Sequence, residues 1–309
     1  DARTKLRHIL ALGPLYPRPV QITAAMCASA CASVVFFGGG WAELITSGVL
    51  SLMVAFMGIY SATRRFSRVY EFVAAFFVGM FAMIVDKWIA KICLLPTVIA
   101  GVLNMLAGIT LTLAVVELLT GNSNSGTSRL TAGVLVTAMV GFGLELGIQA
   151  GSKITGLPQD FATGTCDAAF DERWFFLLFP LMVLGFLLTI NPHWTQLLHM
   201  VVIATCGYGV SYATPKLGQS ASNIISAFVV GIVSNLYSRW SDNTAMTGVV
   251  AGLLVLVPGS LALRSVLGLF ETDAVQGLQV GVAVLVVAVS LGLGLFLATL
   301  VLLPSHASR

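Results

Sequence analysis

Charge is what this sequence has least of. Only 9% of its 309 residues are Asp, Glu, Lys or Arg, against about 25% in a soluble domain, which excludes a water-solvated surface over most of the chain. A basic patch is missing too. The sixteen Lys and Arg are scattered and leave a net charge of only +3, which excludes a nucleic-acid footprint. No His-Glu-x-x-His, Gly-x-Ser-x-Gly or nucleotide-phosphate loop appears, so neither an enzyme nor a metal or other cofactor is expected. The five cysteines form no framework: Cys27 and Cys31 stand one turn apart in an apolar run with no His or carboxylate to complete a metal site, and they read as helix packing. No cleavage-type sequence follows "DARTKLRHIL" and position 1 is not Met, so residues 1–19 are expected to be a truncated cytosolic segment of a longer chain.

What is abundant is hydrocarbon. A span needs about 20 mostly apolar residues, and runs bounded by charge, Gly or Pro predict ten helices, at 20–37, 41–63, 70–91, 96–120, 129–151, 174–190, 193–213, 220–239, 244–270 and 275–303. The expected class is an all-α, multi-pass integral membrane protein. Its two halves echo each other. "GFGLELG" at Gly141 recurs as "GLGLFLA" at Gly292, 151 residues on, and the tight turn "FFGGGW" (Gly38, Gly39, Gly40, Trp41) recurs as "TINPHW", ending at Trp194. "LAGITL" at Leu106 lies over "VPGSLA" at Val257 in the same register. Two five-helix repeats, 20–151 and 174–303, follow, joined by a loop at 152–173 and ending in a short tail at 304–309. Five is odd, so the second repeat enters the membrane from the opposite face; such inverted repeats are common in secondary transporters, with the substrate site near the midplane at their interface. Ten of the sixteen basic residues fall on the side of the N-terminus, which places both termini in the cytosol and the 152–173 loop outside. That topology puts Cys93 and Cys166 on one outer side, where a disulfide can join them.

The stretches "LYPRP", "FFGGGW" and "LAGITLTLAVVELLTGNSNSGTSRL" resemble the first membrane module of the threonine/serine exporter family, and "INPHWTQLLHMVVIATCGYGVSY", "NLYSRW" and "VPGSLALRSV" resemble its second. The fungal pheromone-regulated membrane protein type is the branch it resembles most. The resemblance covers nearly all of residues 9–303 and implies export of small hydroxy-amino acids driven by the proton-motive force. Relatives split into two polypeptides are similar to dicarboxylate exporters, so the resemblance leaves threonine or serine beside a succinate-like substrate. The first module usually reads Pro-Gly where this chain has Ala107-Gly108, while Pro258-Gly259 is kept.

Chemistry is sought first at the paired breaks. Backbone freed by a break in mid-span is tolerated only against protein or a watery cavity, and the helix that follows aims its N-terminal N–H groups into that space. Gly108, Thr110 and Thr112 in one half, and Pro258, Gly259 and Ser260 in the other, are therefore candidate substrate contacts; close helix packing by small residues is the competing reading. Arg264 could clamp a substrate carboxylate, snorkel outward, or pair with Glu271 or Asp273. A carboxylate at mid-membrane costs about 2.5–3.5 kcal/mol, which makes Glu145, deep in the fifth helix and matched by Phe296 in the other repeat, the first candidate proton carrier. Glu117 and Asp86 are further candidates, set against an ion pair of Glu117 with Arg129 and a gating or interfacial pair of Asp86 with Lys87. Glu43 is expected to cap the "GGGW" turn. Asn104, Asn223 and Asn235 either line a pathway or bond neighbouring helices, and His193 and His199 read as interfacial or packed.

Together these readings predict a proton-coupled exporter of a small polar carboxylate working by alternating access, with protons and the lipid bilayer as partners and a plasma or vacuolar membrane as its site. A dicarboxylate exporter and a passive channel or facilitator are the alternatives, and a homo-oligomer is left open.

Overall fold

A computed structural model describes residues 15–64, 69–106, 108–157, 172–241, 244–256, 263–264, 266–267 and 274–302. Pro258, Gly259, Ser260 and Cys166, and residues 1–14, 158–171 and 303–309 of the expected segments, lie outside the described residues.

Every described element is a helix. In the first half these are α1 (Arg18–Val35), α2 (Trp41–Arg64), α3 (Tyr70–Trp88), α4 (Leu94–Gly101), α5 (Gly108–Leu119) and α6 (Ser123–Thr155); in the second, α7 (Phe175–Thr189), α8 (Trp194–Ala213), α9 (Gln219–Trp240), α10 (Ala245–Leu256) and α11 (Ala274–Val301). Their ends follow local chemistry. α1 carries a proline in its first turn, where the missing N–H has no partner to lose. α5 stops at Gly121, whose φ of +87° lets the Asn122 N–H reach back to the Glu117 carbonyl at 2.9 Å. The two tight turns share one backbone solution. Gly38 has φ +67° and Asn191 φ +57°, 153 residues apart like Trp41 and Trp194, and asparagine is among the few side chains that tolerate that region.

By length and composition, four described helices can cross a membrane, α2, α6, α9 and α11, and a fifth if α4 and α5 count as one span bent by 48°. This is fewer than the ten spans expected. α7 and α10 are apolar but short, at 15 and 12 residues; α3 carries Glu71, Asp86 and Lys87 near its ends, and α8 dilutes its hydropathy with Thr, Gln and His.

Close helix contact explains the glycines. Gly143 and Gly147 of α6 lie against the Phe72 and Phe76 carbonyls of α3, and Gly151 lies against Met80 and Met83. In the second half, Gly294 of α11 lies against the Ile224 carbonyl and Ala227 of α9, and Gly231 of α9 lies against Leu295 and Ala298. Contacts also cross between the halves: Gly141 meets Val266, and Gly292 meets Val115 and Leu119. Val266 and Val115 are themselves 151 residues apart. α1 packs against α7, with Gly185 on Ala24 and Ala28, while Gln21 at the start of α1 bonds Asn191 beyond the end of α7 at 2.8 Å. Trp174, before α7, meets Trp41, beyond the end of α1, with ring centroids 5.6 Å apart. α1 and α7 therefore run antiparallel.

Gly147→Val would press a side chain onto the Phe76 backbone and is expected to cost about 3 kcal/mol, the upper range of overpacking. Gly38→Ala, with open space around it and only an unfavourable φ to pay for, is expected to cost about 1 kcal/mol. Thermal unfolding of the purified variants measures both, and an unchanged Gly147→Val would refute the backbone contact.

Candidate functional site: a two-chamber cavity at the helix break

Between α4 and α5 the chain passes through a 3-10 turn at Leu103–Met105, and Leu106 is extended. The break is tied to its neighbours by side chains. Ser29 of α1 donates to the Ala100 carbonyl, and the Asn104 amide donates to the Ala25 carbonyl at 3.2 Å and to Ser51 Oγ at 3.3 Å. Within the turn, the Met105 N–H bonds the Val102 carbonyl at 2.8 Å and the Leu106 N–H bonds that of Leu103 at 3.2 Å. Asn104 thus bonds neighbouring helices, one of the two roles weighed for it, and also lines both of the cavities that meet there.

Two cavities meet at this turn. The larger, about 650 Å³, runs from Arg18 and Glu71 at its mouth past Gln21 and Ser51 to Asn104, Met105 and Thr189. The smaller, about 200 Å³, shares Asn104 and Thr189 and continues to Leu106, Gly108 and Ile109 on one side and to Leu254 and Val255 on the other. Gly108, the first residue of α5, therefore faces the end of α10, directly before the second expected break. Beyond the smaller cavity Phe36, Tyr208 and Phe179 pack together, with centroids 6.2 Å and 4.5 Å apart. The wide chamber combines a largely apolar wall with a few polar groups, and Phe36 of the aromatic cluster lines the smaller one.

The other expected contacts among the described residues, Thr110, Thr112 and Arg264, are not in the linings of these chambers. The Thr112 hydroxyl donates to its own helix at the Gly108 carbonyl, 3.2 Å away. Arg264 rests its guanidinium 5.6 Å above the Phe37 ring, within cation–π range, on the turn that Gly38 to Trp41 complete.

The acids divide by environment. Glu145 is 5% exposed; Oε1 accepts from Gln149 Nε2 at 2.9 Å, and the buried Oε2 has no hydrogen-bond partner. Its counterpart Phe296 is exposed. Glu117 pairs with Arg129 at 3.0 Å. Asp86 accepts the Ile92 N–H at 3.0 Å, so its carboxylate holds the turn leading into α4. Glu43 caps its turn as expected and does more: one oxygen takes the Gly40 N–H at 2.7 Å and the other the Cys93 N–H at 2.8 Å, joining the α1–α2 turn to the start of α4. Cys93 is disulfide-bonded, while Cys27, Cys31 and Cys206 are free. Asn223 is buried with its amide nitrogen unpaired, and Asn235 donates to the Leu302 carbonyl at 2.8 Å. His193 accepts from the Thr195 N–H at the head of α8, and His199 stacks on Tyr237. Among the described residues, no group of three or more metal-ligating side chains occurs.

Arg18, Gln21, Ser51, Glu71 and Thr189 were not singled out from the sequence as site residues. Arg18 served there only to orient the chain, and the polar Gln21 and Ser51 inside apolar runs were the one available signal.

Comparison with known proteins follows the same two halves. Residues 1–150 match the threonine/serine exporter family model ThrE, and residues 175–301 match its companion, described as "Threonine/Serine exporter, ThrE". Pheromone-regulated membrane protein 10 of Eremothecium gossypii is 30% identical over 86% of this chain and 37% of its own length. The proteins of that name from Candida albicans (strain SC5314) and Candida glabrata are 28% and 26% identical, over 89% and 98% of this chain and 26% and 41% of theirs. The chain thus spans between a quarter and two fifths of the length of these relatives. No solved structure matches it.

The Glu43 bridge can be tested directly. Glu43→Leu orphans the Gly40 and Cys93 N–H groups, at about 1–3 kcal/mol for each unpaired donor, so its unfolding temperature is expected to fall well below that of Glu43→Gln, which keeps one acceptor. Equal stability of the two variants would contradict the bridge.

Proposed function

This chain belongs to the threonine/serine exporter family, both of whose membrane modules it carries, and from that premise we propose that it is a proton-coupled secondary transporter exporting small polar carboxylates, threonine and serine first. The observation that carries this reading is the pair of chambers in series, ending where the N-terminus of α5 faces the end of α10. Free N–H groups at a helix start favour an anion, and a substrate carboxylate is the natural guest.

Alternating access has support in the packing. The glycine contacts recur in both halves: the glycines Gly143 and Gly294 are 151 residues apart and their partners Phe72 and Ile224 are 152 apart, while the contacts between halves repeat at 151, as two inverted repeats of five helices would make them. The lining of the wide chamber comes from the end of the bundle where α1 begins, cytosolic by the Lys and Arg distribution, and the Phe36, Tyr208 and Phe179 rings pack together toward the other end of α1. That is the form expected to load an exported substrate from the cytosol, in a plasma or vacuolar membrane. Glu145 is the proton carrier in this reading. A buried carboxylate with one unpaired oxygen can take up and release a proton there, and only one repeat has it.

The test is flux in proteoliposomes, with labelled serine, threonine and succinate, with and without an imposed pH gradient. Gradient-driven accumulation of serine or threonine is expected, and Glu145→Gln is expected to remove the gradient dependence while leaving the unfolding temperature unchanged. Preference for succinate would move the substrate to a dicarboxylate, flux indifferent to the gradient would make the protein a facilitator, and normal coupling in Glu145→Gln would take that residue out of the mechanism.

A further inference from the structure

The lining of the wide chamber holds one charge of each sign, and no described residue neutralises either. Arg18 in the first turn of α1 and Glu71 in the first turn of α3 both line the cavity. Among the described residues, neither is seen in an ion pair or a side-chain hydrogen bond, unlike Glu117, which pairs with Arg129. Opposite charges left unpaired beside one cavity are arranged for a ligand that carries both. We propose that Arg18 and Glu71 form a charge filter selecting a small zwitterion, with its carboxylate on Arg18 and its ammonium on Glu71. The proposal rests on the transport reading above and assigns specificity to residues which that reading leaves without a role.

The floor of the chamber sharpens the selection. Gln21 spends its amide on the Tyr16 carbonyl and Asn191, and Asn104 spends its amide on Ala25 and Ser51. An asparagine with its donors used presents only an acceptor, so Asn104 Oδ1 is suited to receive a hydroxyl or ammonium proton from the ligand. A dicarboxylate fits poorly on both counts: its second anion meets Glu71 at the mouth, and an acceptor without a proton to offer at the floor. Like charges held close disfavour the complex, and a hydrogen-bonding site rejects a ligand that cannot pair with it.

The experiment uses the full protein in detergent and in proteoliposomes, and measures both ligand-induced shifts in unfolding temperature and initial rates. The probes are serine, N-acetylserine, which lacks the cation, serine methyl ester, which lacks the anion, and succinate. Wild type is expected to bind serine at least about tenfold more tightly than the other three, equivalent to about 1.4 kcal/mol. Glu71→Gln is expected to raise KM for serine about tenfold and to narrow its advantage over N-acetylserine, Arg18→Gln to narrow it over the methyl ester, and Arg18→Lys and Glu71→Asp to keep the wild-type ranking. If wild type carries serine while both neutral variants keep its KM and ranking, the filter is refuted and the transport reading stands. A wild type that prefers succinate refutes the zwitterion, and a wild type that neither binds nor carries any probe refutes both readings together.

Discussion

A helix interrupted inside hydrocarbon must find partners for the backbone groups it releases, because the bilayer core supplies none. The interruption between α4 and α5 sets that demand, and much of the first half is arranged around it. Ser29 and Ala25 of α1 and Ser51 of α2 hold the break by side-chain and carbonyl bonds, while Glu43 and Asp86 hold the approach to α4 from the other end. Asn104, Met105 and Leu106 of the break line the two cavities. The polar residues of α1 and α2, expensive in an apolar span, are where the break needs them.

The same economy sorts the carboxylates. Glu43 and Asp86 are occupied by backbone N–H groups and Glu117 by a guanidinium, so each already has structural employment. Glu117, like Glu145, keeps a second oxygen buried and unpaired; Glu145 differs in having the Gln149 amide, rather than a guanidinium, as the partner of its other oxygen. It also sits on the helix whose glycines bring it closest to its neighbours, where a side-chain charge is least screened by water.

The helices were largely legible in the sequence, because hydropathy, prolines and glycines act locally. α2 begins at Trp41 and α8 at Trp194, each after a tight turn, as the repeated phrases indicate, and the fourth apolar run is interrupted near Gly108. The count of membrane-crossing helices was less legible, since the α4–α5 pair reads as one full span when its break is ignored, and α7 and α10 are apolar but short. The chamber was scarcely legible at all. Arg18, Ser51, Glu71, Asn104 and Thr189 come from five separated stretches, and only packing brings them together. The cavity lining is a property of the assembled helices, whereas a hydropathy profile sees each helix alone.

The reciprocal contacts of Gly141 with Val266 and of Gly292 with Val115 bear on how the protein is made. α6 enters the membrane before the ribosome has reached residue 266, so during synthesis the first half waits with its glycine face uncovered. Neither half can complete its packing without the other. The two modules must therefore be matched as a pair, and exchanging one of them between relatives disturbs contacts in both.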